Sequence, residues 1–131
     1  MNSIEILKEE HQKILNLLSE LETAVNEPET DPSDTESFNR LNAAVKLQSQ
    51  IEEGIFYLVM EEIDDTRIIV ERFYNQHKKI DKLLAHLSTI ALNQEEFQEP
   101  LAELRRVIEI HIEEAEEKLF PVAEDKLAKK T

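Results

Sequence analysis

Residues 108–121, with the sequence IEIHIEEAEEKLFP, contain a histidine where a helix should bury an apolar side chain. His111 lies on the stripe that Ile108 and Leu119 mark at helical spacing, and Pro121 falls inside the same pattern. A buried ionisable side chain is costly unless it is paired or bound to a metal. The segment therefore predicts a helix with a buried face and a polar group inside the core.

The same replacement of an apolar by a polar side chain occurs in three other helical stripes. His11 lies on the first stripe and His77 on the third, whereas the second carries the pair Gln48 and Glu52. At about 1.5 Å per residue, the distances to the predicted helix ends place all these positions at one level, within about one turn. A lone core histidine is more often a hydrogen-bonded structural group. Three at one level with an inward glutamate predict instead a metal site or the remnant of one, and these donors suit iron, manganese or zinc.

Four blocks of apolar residues at helical spacing account for almost the whole chain. The predicted helices run from about 3 to 26, from a cap at 33–34 to about 63, from a cap at 65–66 to about 92, and from about 95 to 128. Because short connections place consecutive helices antiparallel, we expect one all-α domain over residues 1–131, an up-down-up-down antiparallel four-helix bundle. Pro100 fits the first turn of the fourth helix, whereas Pro121 should kink or locally reset it.

The composition narrows the classes of function. The chain of 131 residues has 29 acidic and 15 basic side chains, a formal net charge of −14 and no cysteine. Such an acidic surface repels phosphate backbones and anionic lipids, so we expect no nucleic-acid or membrane partner. The lack of cysteine excludes disulfides, thiolate–zinc sites and iron–sulfur clusters, and with no signal peptide evident we expect a cytoplasmic protein. Glu52 is the one inward carboxylate that the pattern supports, and no phosphate loop or nucleophilic triad occurs, so we do not expect an enzyme.

Four segments carry a resemblance to a known family. They are Glu9-Glu10-His11, Glu52-Glu53-Gly54-Ile55-Phe56-Tyr57, His77 with Leu83-Leu84, and His111-Ile112-Glu113-Glu114-Ala115-Glu116-Glu117-Lys118-Leu119-Phe120-Pro121. In their order and spacing, these segments resemble the hemerythrin and HHE cation-binding family over nearly the whole chain. The last one, a histidine followed by acidic residues and then Leu-Phe-Pro, is the most specific. The resemblance implies a hemerythrin-like bundle with a non-haem di-iron site held by histidines and bridging carboxylates.

The resemblance also implies which residues bind the metal. The matching positions are His11, Glu52, His77 and His111. Gln48 occupies the position where the second helix of the family normally carries a histidine, and it would either bind iron weakly through its amide oxygen or hydrogen-bond a neighbour. Asp81 stands where oxygen-carrying hemerythrins have a second histidine on the third helix, and it would either bind the metal or pair with neighbouring lysines.

The carboxylate of the fourth helix has several candidates. Many members of the family place it four residues after the histidine, where this chain has Ala115, and the oxygen carriers place it five residues after, where this chain has Glu116. In a regular helix the latter position points about 140° away from the histidine. Glu116 therefore reaches the site only if the helix widens locally. Glu114 is a third candidate.

Two functions remain open from the sequence. The first, implied by the family, is a metal-binding protein that holds non-haem iron, as two ions or as one, with zinc or manganese as the alternative metal. Its role would be to sense oxygen, nitric oxide or redox state, or to handle iron, and its partners would be the metal ion and a diatomic ligand. The second is a metal-free helical interaction or scaffold module that keeps only a hydrogen-bonded remnant of the site.

Overall fold

The computed structural model describes residues 3–27, 35–60, 67–121 and 123–125. Its long helices are α1 (Ser3–Asn26), α2 (Glu36–Met60), α3 (Arg67–Leu87) and α4 (Gln98–Glu114). A 3₁₀ turn, Glu95–Phe97, precedes α4, and a π-helical segment, Ala115–Leu119, continues it; we call the latter the π segment. These described residues contain no β-strand, which confirms the predicted all-α fold. Within the same residues, no helix combines the length and the apolar character that crossing a membrane requires.

Ion pairs between helices show the directions in which they run. Near the end of α1, Glu22 accepts hydrogen bonds from Arg105 near the start of α4, whereas His11, earlier in α1, pairs with Glu116 beyond the end of α4. The two helices are therefore antiparallel. The same reversal relates α1 to α2, through Glu20–Arg40 and His11–Glu52, and α3 to α4, through Lys79–Glu103 and Arg72–Glu114. The bundle thus has the predicted up-down-up-down order.

Among the predicted helix limits that fall within the described residues, both limits of α1 agree to the residue. α3 ends at Leu87 instead of near residue 92, because the hydroxyl groups of Ser88 and Thr89 donate to backbone carbonyls three residues earlier. The α-helical part of the fourth helix begins at Gln98, which places Pro100 in its first turn. The predicted limits at 33–34, 63–66 and 128 lie outside the described residues.

A polar layer divides the apolar core into two clusters. The larger cluster includes Ile14, Leu18, Leu21, Leu41, Val45, Ile80, Leu84, Leu104 and Ile108. The smaller cluster consists of Ile4, Leu7, Val70, Phe73, Ala115, Leu119, Phe120 and Ala123. The buried polar residues between them are His11, Gln48, Glu52, His77 and His111. Each fully buried aliphatic side chain contributes about 1.5–3 kcal/mol, so apolar packing on both sides holds the polar layer in place.

Candidate metal centre

Glu52 is the centre of the polar layer. Its side chain is fully buried, and its two carboxylate oxygens face histidines from three other helices. Oε1 lies 3.0 Å from Nε2 of His11, and Oε2 lies 2.9 Å from Nε2 of His77 and 3.0 Å from Nε2 of His111. The Nε2 atoms of His77 and His111 are themselves 3.2 Å apart. The four helices therefore bring three imidazoles and one carboxylate to a single point.

The second ring nitrogen of His11 and of His77 faces a carboxylate outside this point. Nδ1 of His77 lies 3.1 Å from Oε1 of Glu53, and Nδ1 of His11 lies 3.4 Å from Oε1 of Glu116. An ionised carboxylate can only accept a hydrogen bond, so Nδ1 carries a proton in both rings. Metal-binding histidines have the same arrangement, with one nitrogen on the metal and the other donating to a carboxylate, a carbonyl or water.

His111 is oriented by a chain of hydrogen bonds that leads to the surface. Its Nδ1 lies 2.7 Å from Oε1 of Gln76, while Nε2 of Gln76 donates to Glu114 over 3.0 Å. Because the Glu114 carboxylate only accepts, the amide oxygen of Gln76 must face the imidazole, and Nδ1 of His111 is the donor. Arg72 donates to the other oxygen of Glu114 over 2.6 Å and ends the chain at an exposed guanidinium. All three histidines therefore carry a proton on Nδ1.

The resulting centre is rich in electron pairs. With the Nδ1 protons directed outward, each Nε2 faces the buried Glu52 carboxylate. It donates a hydrogen bond when it is protonated and presents a lone pair when it is not, so the group requires positive charge from protons or from a metal ion. Donor atoms on one ion at about 2.1 Å lie about 3.0–3.4 Å apart, close to the 2.9–3.2 Å observed around Oε2 of Glu52. The ligand atoms of His11, Glu52 and His111 also lie within 4.8 Å of one another. The residues of the layer therefore fit a metal ion.

The buried pairing shifts the titration of two of these groups. Burial alone would raise the pKa of the Glu52 carboxyl, but hydrogen bonds with His11, His111 and His77 hold that pKa well below its ordinary value of 4.5. Burial alone would lower the pKa of His77, yet the hydrogen bond and the charge of Glu52, with a further contribution from Glu53, raise it above 6.5. Glu52 is thus an anion in the centre, and His77 retains a proton more readily than a free imidazole.

Gln48 enters the layer as a hydrogen-bond donor. Its Nε2 donates to Oε1 of Glu52 over 3.2 Å, and its side chain is buried. The carboxylate only accepts, so the amide nitrogen faces Glu52 and the amide oxygen, which is the atom able to bind a metal, is turned away from it. In this structure Gln48 makes the hydrogen bond, and its binding to a metal stays a prediction.

Among the carboxylates of the fourth helix, Glu116 reaches the layer. The helix widens into the π segment at this point, and Oε1 of Glu116 approaches Nδ1 of His11. This nitrogen is on the other side of the ring from the one that faces Glu52, so Glu116 lies behind the imidazole in this structure, and its role as a metal ligand stays a prediction. Glu114 is turned toward α3 instead, and Ala115 packs in the smaller apolar cluster.

Asp81 is not brought to the other predicted ligands. It follows His77 by four residues on α3, yet its side chain is exposed. Asp81 is therefore rotated by about 40° around the helix axis relative to His77. The buried positions of α3 near Asp81 are those of Ile80 and Leu84. The structure therefore leaves Asp81 outside the layer.

Sequence reasoning missed two residues that lie behind the histidines, Glu53 and Gln76. Both are half-buried, at the edge of the stripe that their helix buries. Apolar periodicity gives little signal at such an edge, because either a polar or an apolar side chain is compatible with it. The signal that could have found them is an acceptor side chain directly beside a predicted ligand, as Glu53 is beside Glu52 and Gln76 beside His77.

Comparison with known proteins identifies one family whose model matches this chain. The family model described as the hemerythrin HHE cation binding domain matches residues 2–123. A search of curated proteins and a search of solved structures gave no match. The matched range contains all three helical histidines of the layer, together with Gln48 and Glu52.

Proposed function

The chain belongs to the hemerythrin HHE cation-binding domain family, and we propose that it binds a non-haem iron ion in the buried layer between its four helices. The observation that carries the proposal is the convergence of the Nε2 atoms of His11, His77 and His111 on the carboxylate of Glu52. Because Nδ1 of each ring donates to an acceptor, Nε2 is the atom that can bind the metal. Imidazole and carboxylate together suit iron, with zinc and manganese as the alternatives.

The donor set favours one tightly held ion over two equal ones. His77, His111 and Oε2 of Glu52 form a compact group of two histidines and one carboxylate, a set that leaves coordination positions open on iron. Oε1 of Glu52 is shared by His11 and by the amide of Gln48, which is a donor and not a ligand in this arrangement. A second ion would have to displace that hydrogen bond. We therefore propose tight binding of one ion and weaker binding of a second.

The open positions support a role in sensing. Bound iron would supply reversible binding of a diatomic ligand such as oxygen or nitric oxide, or a one-electron redox change. We propose that the protein senses such a ligand or the redox state, or handles iron, and that it is not a catalyst. Acid–base catalysis by paired carboxylates needs a second inward carboxylate, and Glu52 is the one fully buried carboxylate among the described residues. A cytoplasmic location remains a prediction from composition.

A metal-free helical module is the second candidate function, favoured by the closure of the hydrogen-bond network. Glu52 faces three histidines and Gln48, and each histidine has a partner at both ring nitrogens. Protons alone can satisfy such a layer. In that case the polar contacts would fix the register of the four helices and bind no ion.

Metal analysis of the purified protein distinguishes these functions. After anaerobic loading with a ferrous salt, we expect about one iron per chain, and a higher Tm because iron would bind only the folded state. A double variant, His77→Ala with His111→Ala, should lose the metal. His86→Ala removes an exposed histidine and should retain it. If iron, zinc and manganese leave the Tm unchanged and none is bound, the metal-free module is the correct function.

A further inference from the structure

The π segment and the residue that follows it hold one histidine on two sides. Glu116 approaches the ring edge of His11, with 3.4 Å between Oε1 and Nδ1. The ring of Phe120 stacks on the face of the imidazole, with centroids 5.4 Å apart and planes 11° apart. Both His11 and Phe120 are fully buried. One short stretch of the fourth helix therefore determines where this imidazole lies.

The backbone of the π segment is wound more widely than an α-helix. The N–H of Phe120 donates to the carbonyl of Ala115, five residues earlier, whereas a regular α-helix would pair it with Glu116. Regular winding would direct Glu116 about 140° away from His111. The wider turn is what brings Glu116 to the face of the helix that meets α1.

Pro121 explains why the wide turn occurs at this point. Proline has no N–H to donate, and in a regular α-helix its ring collides with the carbonyl four residues earlier, which is that of Glu117. A wider turn immediately before the proline separates the ring from that carbonyl. The sequence predicts a local reset at Pro121, and the structure shows it as the π segment that precedes this residue.

We propose that Pro121 and the π segment form a positioning device for His11, with Glu116 and Phe120 as its two contacts. The inference rests on the proposed metal function, because the device holds Nε2 of His11 toward Glu52 while Nδ1 donates to Glu116. An outer carboxylate fixes the orientation of a ligand imidazole and raises its basicity. Glu116 acts on the metal through His11 and is a positioning residue.

Pro121→Ala tests the device directly. Without the proline, the fourth helix can continue with regular winding, which turns Glu116 and Phe120 away from His11. In the metal-free variant, NOEs between the rings of His11 and Phe120 should be lost. Iron affinity, measured by competition with a chelator, should fall about 10- to 100-fold. Pro100→Ala is the matched control, since Pro100 lies in the first turn of α4, and it should change neither measurement.

Variants of Glu116 separate positioning from a general structural effect. Glu116→Ala removes the acceptor for Nδ1 of His11 and should weaken iron binding about 10-fold or more. Glu116→Gln keeps an oxygen acceptor and should restore the affinity to within about threefold of the wild type. Glu117→Ala removes an exposed neighbouring charge and is the control for net charge.

The outcomes decide the proposal as follows. Ring NOEs that persist in Pro121→Ala together with unchanged affinity would overturn it. Equal losses of affinity in Glu116→Ala and Glu117→Ala would also overturn it, because surface charge would then explain both. If the wild-type protein binds no iron, the proposed function fails, and the NOEs in metal-free Pro121→Ala still decide whether the proline sets the position of His11.

Discussion

The side-chain amide of Gln48 donates a hydrogen bond to Oε1 of Glu52 over 3.2 Å, at the carboxylate oxygen that also faces His11. The two residues lie one turn apart on α2, so the bond is part of the local helix geometry. The other oxygen, Oε2, is left to His77 and His111. The layer is therefore asymmetric, with an amide donor on one side of the carboxylate and two imidazoles on the other.

Gln48→His should add a second metal position. The substitution exchanges an N–H donor for an imidazole whose lone pair can bind an ion beside Oε1 of Glu52. Iron per chain, measured by elemental analysis, should rise from about one toward about two. Gln48→Ala removes the amide without supplying a ligand and should stay near the wild-type value. Two ions in the wild-type protein, or no gain in Gln48→His, would show that the asymmetry does not limit binding.

Removal of the central carboxylate should destabilise the metal-free protein strongly. In Glu52→Ala, three buried histidines lose the acceptor at Nε2, and breaking a buried charged network costs about 3–5 kcal/mol. The free energy of unfolding in urea measures this loss. Glu53→Ala is the control, because Glu53 is half-buried and contacts His77 alone among the histidines described. A comparable loss of unfolding free energy in both variants would mean that the central position of Glu52 contributes no more to stability than the outer position of Glu53.

Apolar spacing predicts the four helices and the level of the polar layer, because the burial of one helical face follows a local rule. It predicts α1 to the residue for the same reason. Pro121 predicts a local reset of the fourth helix, but the sequence could not show that this reset brings Glu116 to His11, which lies 105 residues away along the chain. The sequence could not find the role of Gln76 either, since that side chain meets His111 only after α3 packs on α4. Local rules thus account for the helices, and contacts between helices account for the finer geometry of the site.

Gln76→Ala should weaken iron binding without removing a ligand. His111 then loses the acceptor at Nδ1, and loss of such an outer partner costs about 10- to 100-fold in metal affinity. Arg72→Ala should have a much smaller effect, because its side chain is 60% exposed and an exposed ion pair contributes about 0–1 kcal/mol. Asn75→Ala changes an exposed neighbour and controls for substitution on α3. Chelator competition measures all three, and similar affinities in Gln76→Ala and Asn75→Ala would contradict the orienting role.

The metal-free protein should lose stability as the pH rises above neutrality. The pKa of His77 is raised above 6.5 in the folded state, so its contribution is fully present below pH 6.5 and is lost as the pH rises through the folded pKa. The pKa of Glu52 is lowered well below 4.5, so its contribution is present above pH 4.5 and is lost as the pH falls through the folded pKa. Both contributions are present between pH 4.5 and 6.5, and the Tm should decline on either side of that window.

Iron should reverse the decline above this window. Nε2 of His77 must release its proton to bind an ion, so iron competes with the proton and binds better at higher pH. Thermal melts should therefore show a larger rise in Tm on addition of ferrous iron at about pH 8 than at about pH 6. His77→Gln removes the titrating group while keeping a polar side chain, and its metal-free Tm should depend less on pH across this range. An equal rise at both pH values in the wild-type protein would mean that His77 does not exchange its proton for the ion.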